Sequence, residues 1–512
     1  MIRILLGFCL ALTLWNKPAQ AAWHEASSEH FVIYADQRGK SVQAFAERLE
    51  KFHAAMAFVI GKEPETPSPS NRITVFVVDN RQKVRRLADI KKKYAAGIYL
   101  PRAGNIVAIV PRLRSGGNKF SLSPDTILRH EYAHHFQFNI TSRAFPLWFQ
   151  EGFAEFFASG QDHRDGTVVL GAPAVHRAYE LALSRKVPIE QLLNSANYLQ
   201  NKSKRHDQFY GRSWLLYHYL SFEDSRANQL AEFQVLMANG ATDIEAARQA
   251  FGDLNTLDKE LDRYADRKKM MTFAITADRL RPSPVTMRKL GEGEAEMMPL
   301  IMQSRTGVDE TEAAALLVKA REIAAQYPDD AAVLEALAEA EFDAGFDQEA
   351  IAAADRALLL DPKRVRAQIQ KIYAYARRAK SAEEPATAWR KVRAQIVAAN
   401  RIENDHPVPL MEYYSTYRSA GETPPDIAVA GLQRALQLAP FDKGLRLTVA
   451  TQYMQDKDYQ AAVTVLRPLA YNPHRSPATK AAEQLLKLAQ IAHAASDAAA
   501  TAAAGVGADG TD

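Results

Sequence analysis

Hydrophobic and polar positions change their period several times along this chain. Phe31-Val32-Ile33-Tyr34 is a short apolar run that reads as a strand. From Ser41 to Ile60 the period becomes helical, with Phe45, Leu49, Phe52 and Met56 on one side. The Pro/Ser-rich piece Pro64 to Ser70 is a loop. Ile73 to Val78 is rich in β-branched residues and predicts a second strand. Ala96–Leu100 and Ile106–Val110 flank Pro101-Arg102-Ala103-Gly104-Asn105 and predict a hairpin. A helix then starts on a legible signal: Ser123 as N-cap, Pro124 in the first turn, and Asp125 at the positive end of the dipole. A second helix is expected from about Pro146 to Gly160, and another from Gln208 to Ser221.

The last third has a different texture, rich in Ala and Leu. Ala350, Ala357 and Pro362 have the spacing of Ala428, Ala435 and Pro440. Pro328 and Pro362 lie 34 residues apart, the period of a tetratricopeptide (TPR) repeat. Small residues at such positions let paired helices approach closely, and proline closes the second helix. Ala461 and Pro473 place a third, degraded copy in step; a generic helical bundle is the alternative. The expected organisation is a leader over 1–22, a mixed α and β domain over 23–275 and a Pro/Gly/Glu-rich linker over 276–308. Helical repeats follow over 309–493, with a disordered Ala/Gly/Asp-rich tail over 494–512.

Composition narrows the class. Of 512 residues, 47% are hydrophobic and 24% charged, as in soluble multidomain proteins. Arg3, the uncharged apolar run Ile4–Trp15 and Ala19-Gln20-Ala21 read as a cleavable secretory signal, so a periplasmic or extracellular location is expected. Without Arg3 and Lys17 the formal charge of +4 drops to +2, which argues against a nucleic-acid footprint. The one cysteine, Cys9, lies in the leader, so the mature chain has neither a disulfide nor a thiol nucleophile. No later stretch is apolar for long enough to span a membrane.

Against this background one constellation carries chemistry. His130-Glu131-Tyr132-Ala133-His134 is an H-E-x-x-H motif on the capped helix. Residues four apart share a helix face, so His130 and His134 can address one Zn²⁺ while Glu131 sits beside them as general base. His135 faces away from that pair and is expected in packing or a surface hydrogen bond. A catalytic zinc needs a third ligand, and Glu151 is the candidate, after enough residues for a turn and a new helix. Glu155 lies one turn further on, among Phe149, Phe153, Phe156 and Phe157, where an uncompensated carboxylate is costly. Its expected role is to hold the other nitrogen of a ligand histidine, His130.

These residues resemble those of gluzincin metallopeptidases, specifically the secreted peptidase-MA-like group often joined to TPR repeats. Trp148-Phe149-Gln150-Glu151-Gly152-Phe153-Ala154 is similar to the W-L-x-E-G-x-A string of gluzincin aminopeptidases, in which the Glu is the third zinc ligand. The interval between His134 and Glu151 is shorter than is usual there, and the aminopeptidase G-x-M-E-N motif is absent. The resemblance therefore implies a zinc peptidase without implying aminopeptidase specificity. It also implies a downstream tyrosine that stabilises an oxyanion. Phe209-Tyr210-Gly211-Arg212-Ser213 is similar to a Y-x-x-S helix of that group, so Tyr210 is the candidate, with a packing role as the alternative; His206 and His218 are weaker candidates.

The fold class implied is an α+β zincin-like metallopeptidase domain followed by an all-α TPR-like helical repeat domain. The expected function is an exported zinc-dependent peptidase hydrolysing peptide bonds of a peptide or protein substrate, with a TPR groove that binds substrate or a protein partner. Two alternatives share these features: a TPR-based binding scaffold with a vestigial metallopeptidase domain, and a zinc amidase acting on cell-wall peptides.

Overall fold

The computed structural model describes residues 22–87, 97–112, 120, 122–201, 206–472 and 476–506, with backbone alone for 500–506. Residues 1–21 of the expected leader, Cys9 among them, and Ala96 and Pro473 lie outside the described residues.

A six-stranded sheet forms the N-terminal layer. Its strand order is Ile98–Leu100, Val107–Pro111, Ile73–Val78, Phe31–Asp36, Trp23–Ser27 and Thr286–Lys289. The three middle strands Val107–Pro111, Ile73–Val78 and Phe31–Asp36 are parallel, and the remaining pairings are antiparallel. The hairpin forms with Tyr99 opposite Ala108. Its turn places Gly104 at φ +65, where a side chain would run into the His406 ring of the C-terminal array. Helix Gly39–Ile60 packs on the sheet through the apolar side formed by Phe45, Leu49, Phe52 and Met56, all buried.

The segment 276–308, expected as a linker, is built into the fold. Thr286–Lys289 pairs with Trp23–Ser27 as the edge strand, and helix Glu292–Thr306 follows it. The strand escapes a reading of periodicity because its side chains are mostly exposed. It is held by backbone pairing and by Arg288, which bridges Glu25 and Glu294.

From Ala331 onward, helices pair in sequence: Ala331–Asp343 with Asp347–Leu360, Val365–Ala379 with Pro385–Ile402, Pro407–Ser419 with Asp426–Leu438, and Lys443–Gln455 with Tyr459–Ala470. Ala350, Ala357, Ala428 and Ala435 are completely buried, as close helix approach requires. Helix Pro477–Val506 closes the array and runs through residues expected to form a disordered tail from 494. Its alanines favour helix even without a packing partner; residues 507–512 lie outside the described residues. Among the described residues, no helix is long and apolar enough to cross a membrane.

The two regions share one continuous apolar core, which runs from the sheet through the motif helix to Leu432, Phe441 and Val449. Polar contacts reinforce it. The Ala103 amide donates to Asp442 Oδ2 at 2.8 Å, Asn71 Nδ2 to the Leu438 carbonyl at 2.7 Å, and Gln150 Nε2 to the Tyr471 carbonyl at 2.8 Å. The inner helices of the array therefore face the chain's own α/β region. Glu335, Glu339, Arg366 and Tyr373 line a charged cavity of about 400 Å³ together with Tyr34, Arg72 and Asn105.

Candidate metal centre

The motif helix, Pro124–Ile140, is capped as its sequence dictates: the Thr126 amide donates to Ser123 Oγ at 3.0 Å. His130 and His134 emerge one turn apart, with 3.2 Å between their Nε2 atoms. After a short turn the chain returns as helix Leu147–Ala158, every residue of which is buried. Glu151 Oε2 lies 3.3 Å from His130 Nε2 and 3.7 Å from His134 Nε2. A tetrahedral ion with bonds of about 2.0–2.1 Å separates its ligands by about 3.3 Å, so these three atoms form one face of such a tetrahedron. Glu151 Oε2 is buried without a hydrogen bond. An oxygen in that state costs about 1–3 kcal/mol unless something else meets it. The residues present fit a zinc ion on both counts.

Return of the helix to this position depends on Gly152. A Cβ there would lie 2.4 Å from the Ser213 carbonyl oxygen of helix Phe209–Phe222, so glycine permits the close crossing that holds Glu151 in place.

Glu155, one turn beyond, faces His130 from the other side. Its Oε1 lies 3.2 Å from His130 Nδ1. Its Oε2 lies 2.6 Å from His176 Nε2, and the Arg177 guanidinium pairs with Oε1. Arg177 also lies over the Tyr210 ring, 4.7 Å from its centroid. The electrostatics follow from this packing. Burial raises the pKa of Glu151, but the two imidazoles outweigh it and hold the carboxyl well below the usual range. Glu155 is likewise held low against burial, by Arg177 and His130. Burial pulls His130 down, yet the two carboxylates win and push it up to about 10. A field that favours an imidazolium at this position also favours a dication.

Glu131 projects into a cavity of about 280 Å³ lined by Tyr99, His134, His135 and Phe138, and by Phe441, Lys443 and Asn472 from the array. His135 packs among aromatic rings, 4.7 Å from Phe441 and 6.0 Å from Tyr132 between centroids. Tyr210 sits beside Glu151, whose negative charge raises the phenol's pKa ahead of burial. His218 is committed to Tyr264 Oη and the Gly171 carbonyl, each at 2.9 Å, and His206 is exposed. The arrangement thus gathers His130, His134, Glu151 and Glu155, with Glu131 and Tyr210 at its edges.

Sequence reasoning missed His176, Arg177 and Tyr99. The first two follow a short irregular segment that has no periodicity to mark it. Tyr99 lies in an edge strand, with its buried hydroxyl lacking a hydrogen-bond partner. Burial, and then Glu131, raise its pKa well above the ordinary value.

Residues 125–239 match the family described as "Protein of unknown function (DUF1570)", a span that holds the motif helix, the return helix and helix Phe209–Phe222. No curated protein matches the chain. Among solved structures, the chain is similar to TTC0263, a thermophilic TPR protein of Thermus thermophilus, at 18% identity and TM-score 0.30, over 34% of this chain and 91% of that one. It is similar to MamA at 14% identity and TM-score 0.27, over 36% and 96% respectively. A third likeness, to the APC/C hetero-tetramer Cut9–Hcn1, has 14% identity and TM-score 0.16, over 67% and 72%.

Proposed function

We propose that this chain is an exported zinc-dependent peptidase of zincin-like fold, with His130, His134 and Glu151 as metal ligands. The observation that carries the reading is the ligand triangle: two Nε2 atoms and a buried, unsatisfied carboxylate oxygen at 3.2, 3.3 and 3.7 Å from one another. A zinc ion held there would lower the pKa of a water and polarise a carbonyl.

The chain's own residues do the rest. Glu131 accepts the proton of the attacking water and returns it to the leaving nitrogen. Glu155 fixes the His130 ring through Nδ1, and Arg177 and His176 keep Glu155 ionised and in place. Tyr210, restrained by Arg177, or Tyr99, with its unpaired hydroxyl beside Glu131, donates a hydrogen bond to the developing oxyanion. The Ile98–Leu100 edge offers backbone groups to an extended peptide next to the cavity. Phe441, Lys443 and Asn472 make the array one wall of that cavity, so the repeats shape substrate entry.

The test is metal analysis alongside hydrolysis of exported proteins by wild type and Glu131→Gln. The variant is expected to keep its zinc and to lose cleavage; equal cleavage by both removes the mechanism. A second reading, a binding scaffold built on the array, is favoured by the exposed Leu359, Ile427 and Ile491 on its helices. A wild-type protein without bound metal would turn the choice to that reading.

A further inference from the structure

On the opposite side of the motif helix, a second set of metal-binding side chains converges. His30 immediately precedes strand Phe31–Asp36, His53 lies on helix Gly39–Ile60, and Glu63 follows that helix. One potential ligand atom from each lies within 4.8 Å of the others. Both imidazoles are oriented through Nδ1. Glu50, a carboxylate only 1% exposed, receives the His30 amide on Oε1 at 3.1 Å and faces His30 Nδ1 with Oε2 at 2.8 Å. His53 Nδ1 meets the hydroxyl of Tyr132. The two rings stack with centroids 3.6 Å apart and planes at 23°. The nitrogens left over are both Nε2. That of His53 is buried with no hydrogen-bond partner, and Glu63 Oε1 lies 3.6 Å from it. His30, His53 and Tyr132 border a partly open cavity of about 80 Å³, which Leu438 and Phe441 of the array also line.

A structural role in packing alone does not account for this set. A buried ring nitrogen without a partner is unfavourable, and an ion bound between the two rings and Glu63 would relieve it. The arrangement here is the one that metal-binding histidines use: a carboxylate or hydroxyl on one ring nitrogen, and the other aimed at open space beside a further ligand. We infer that His30, His53 and Glu63 form a second site for one divalent transition-metal ion, with water completing the shell. Two imidazoles and one carboxylate select zinc-like ions over magnesium or calcium, which take oxygen ligands. Glu63, whose side chain is 69% exposed, already lies 3.6 Å from His53 Nε2, and one ion between the two stacked rings would require them to tilt toward each other. The ion would clamp the first parallel strand to the long helix. Through His53 and Tyr132 it would also hold the motif helix one residue from Glu131. The inference is independent of the catalytic reading.

The experiment counts zinc in the full-length protein after chelation, reloading and desalting, in wild type and His53→Ala. Wild type is expected to hold one ion more than His53→Ala, whether the totals are two and one or one and none. Equal zinc content in the two overturns the site, and a wild type with one ion that His53→Ala loses sustains it while removing the catalytic centre. Should His53→Ala fail to fold, Glu63→Gln, altered at an exposed side chain, replaces it. Calorimetric titration with zinc is then expected to show one ion bound about tenfold more weakly or worse; an unchanged isotherm overturns the site.

Discussion

Two histidine clusters flank the motif helix, and they solve the problem of burial in opposite ways. On one face, His130 and His134 meet Glu151 and Glu155, with Arg177 behind, so charge is balanced by charge. On the other, His30 and His53 stack face to face among Tyr132, Phe136 and Phe31, and burial keeps His53 neutral. In the first cluster protonation of His130 is stabilised; in the second, protonation of His53 is penalised. One helix thus separates a histidine held protonated by carboxylates from one that burial keeps neutral. A single sequence run, Arg129 to Phe136, supplies both because helical periodicity sends neighbouring residues to different faces.

The comparison can be tested by changes that act on one cluster and spare the other. The largest effect is expected from Glu131→Gln: hydrolysis of a peptide substrate falls by about 10²–10⁴-fold with both clusters' metal content unchanged. Mass spectrometry of cleavage products and metal analysis check it, and a variant that cleaves normally removes Glu131 from the chemistry. Gly152→Ala comes next. The new methyl meets the Ser213 carbonyl, the two helices separate, and stability drops by about 1–3 kcal/mol. Zinc at the Glu151 cluster is lost while zinc attributed to His53 remains; calorimetry and metal counts report both, and parallel losses would erase the distinction between the faces.

Glu155→Gln is expected to weaken zinc at the first cluster by about 10–100-fold without altering the second, measured by chelator competition. The pH dependence of the chelated protein should carry opposite signs on the two faces. His130 is raised to about 10, so its contribution is complete below about 6.5 and fades as pH rises toward 10. His53 is lowered to about 3, so the unfolded chain takes up the extra proton and stability falls as pH drops from about 6.5 toward 3. Melting temperature against pH in EDTA, for wild type and for His53→Phe, checks this; an acid limb identical in the two would contradict it. The smallest effect is expected from Ser123→Ala, which removes the cap shared by both faces. A loss of about 1 kcal/mol in chemical denaturation, with both metal contents retained, is the outcome.

Much of this was legible along the chain. The Ser123 cap, the histidines at i and i+4, the return helix with Glu151 and Glu155, and the buried alanines at repeat spacing are all local patterns, set by helix geometry and by the cost of burying charge. The strand Thr286–Lys289 was not legible, because an exposed edge has no alternation and exists only through its pairing with Trp23–Ser27. Helix propensity likewise carried the last helix past Ala494, where composition pointed to disorder.

The sequence by itself determined which helix carries the chemistry and which residue types stand on it, since those depend on contacts within a few residues. Only the tertiary structure decided that Arg177 and His176 stand behind Glu155, that Tyr99 reaches the cavity of Glu131, and that Phe441 of the array closes both histidine clusters. It alone decided that His30, His53 and Glu63 meet. These juxtapositions join segments separated by tens to hundreds of residues, and their geometry comes from how sheet, helices and array share one core, which no local spacing encodes.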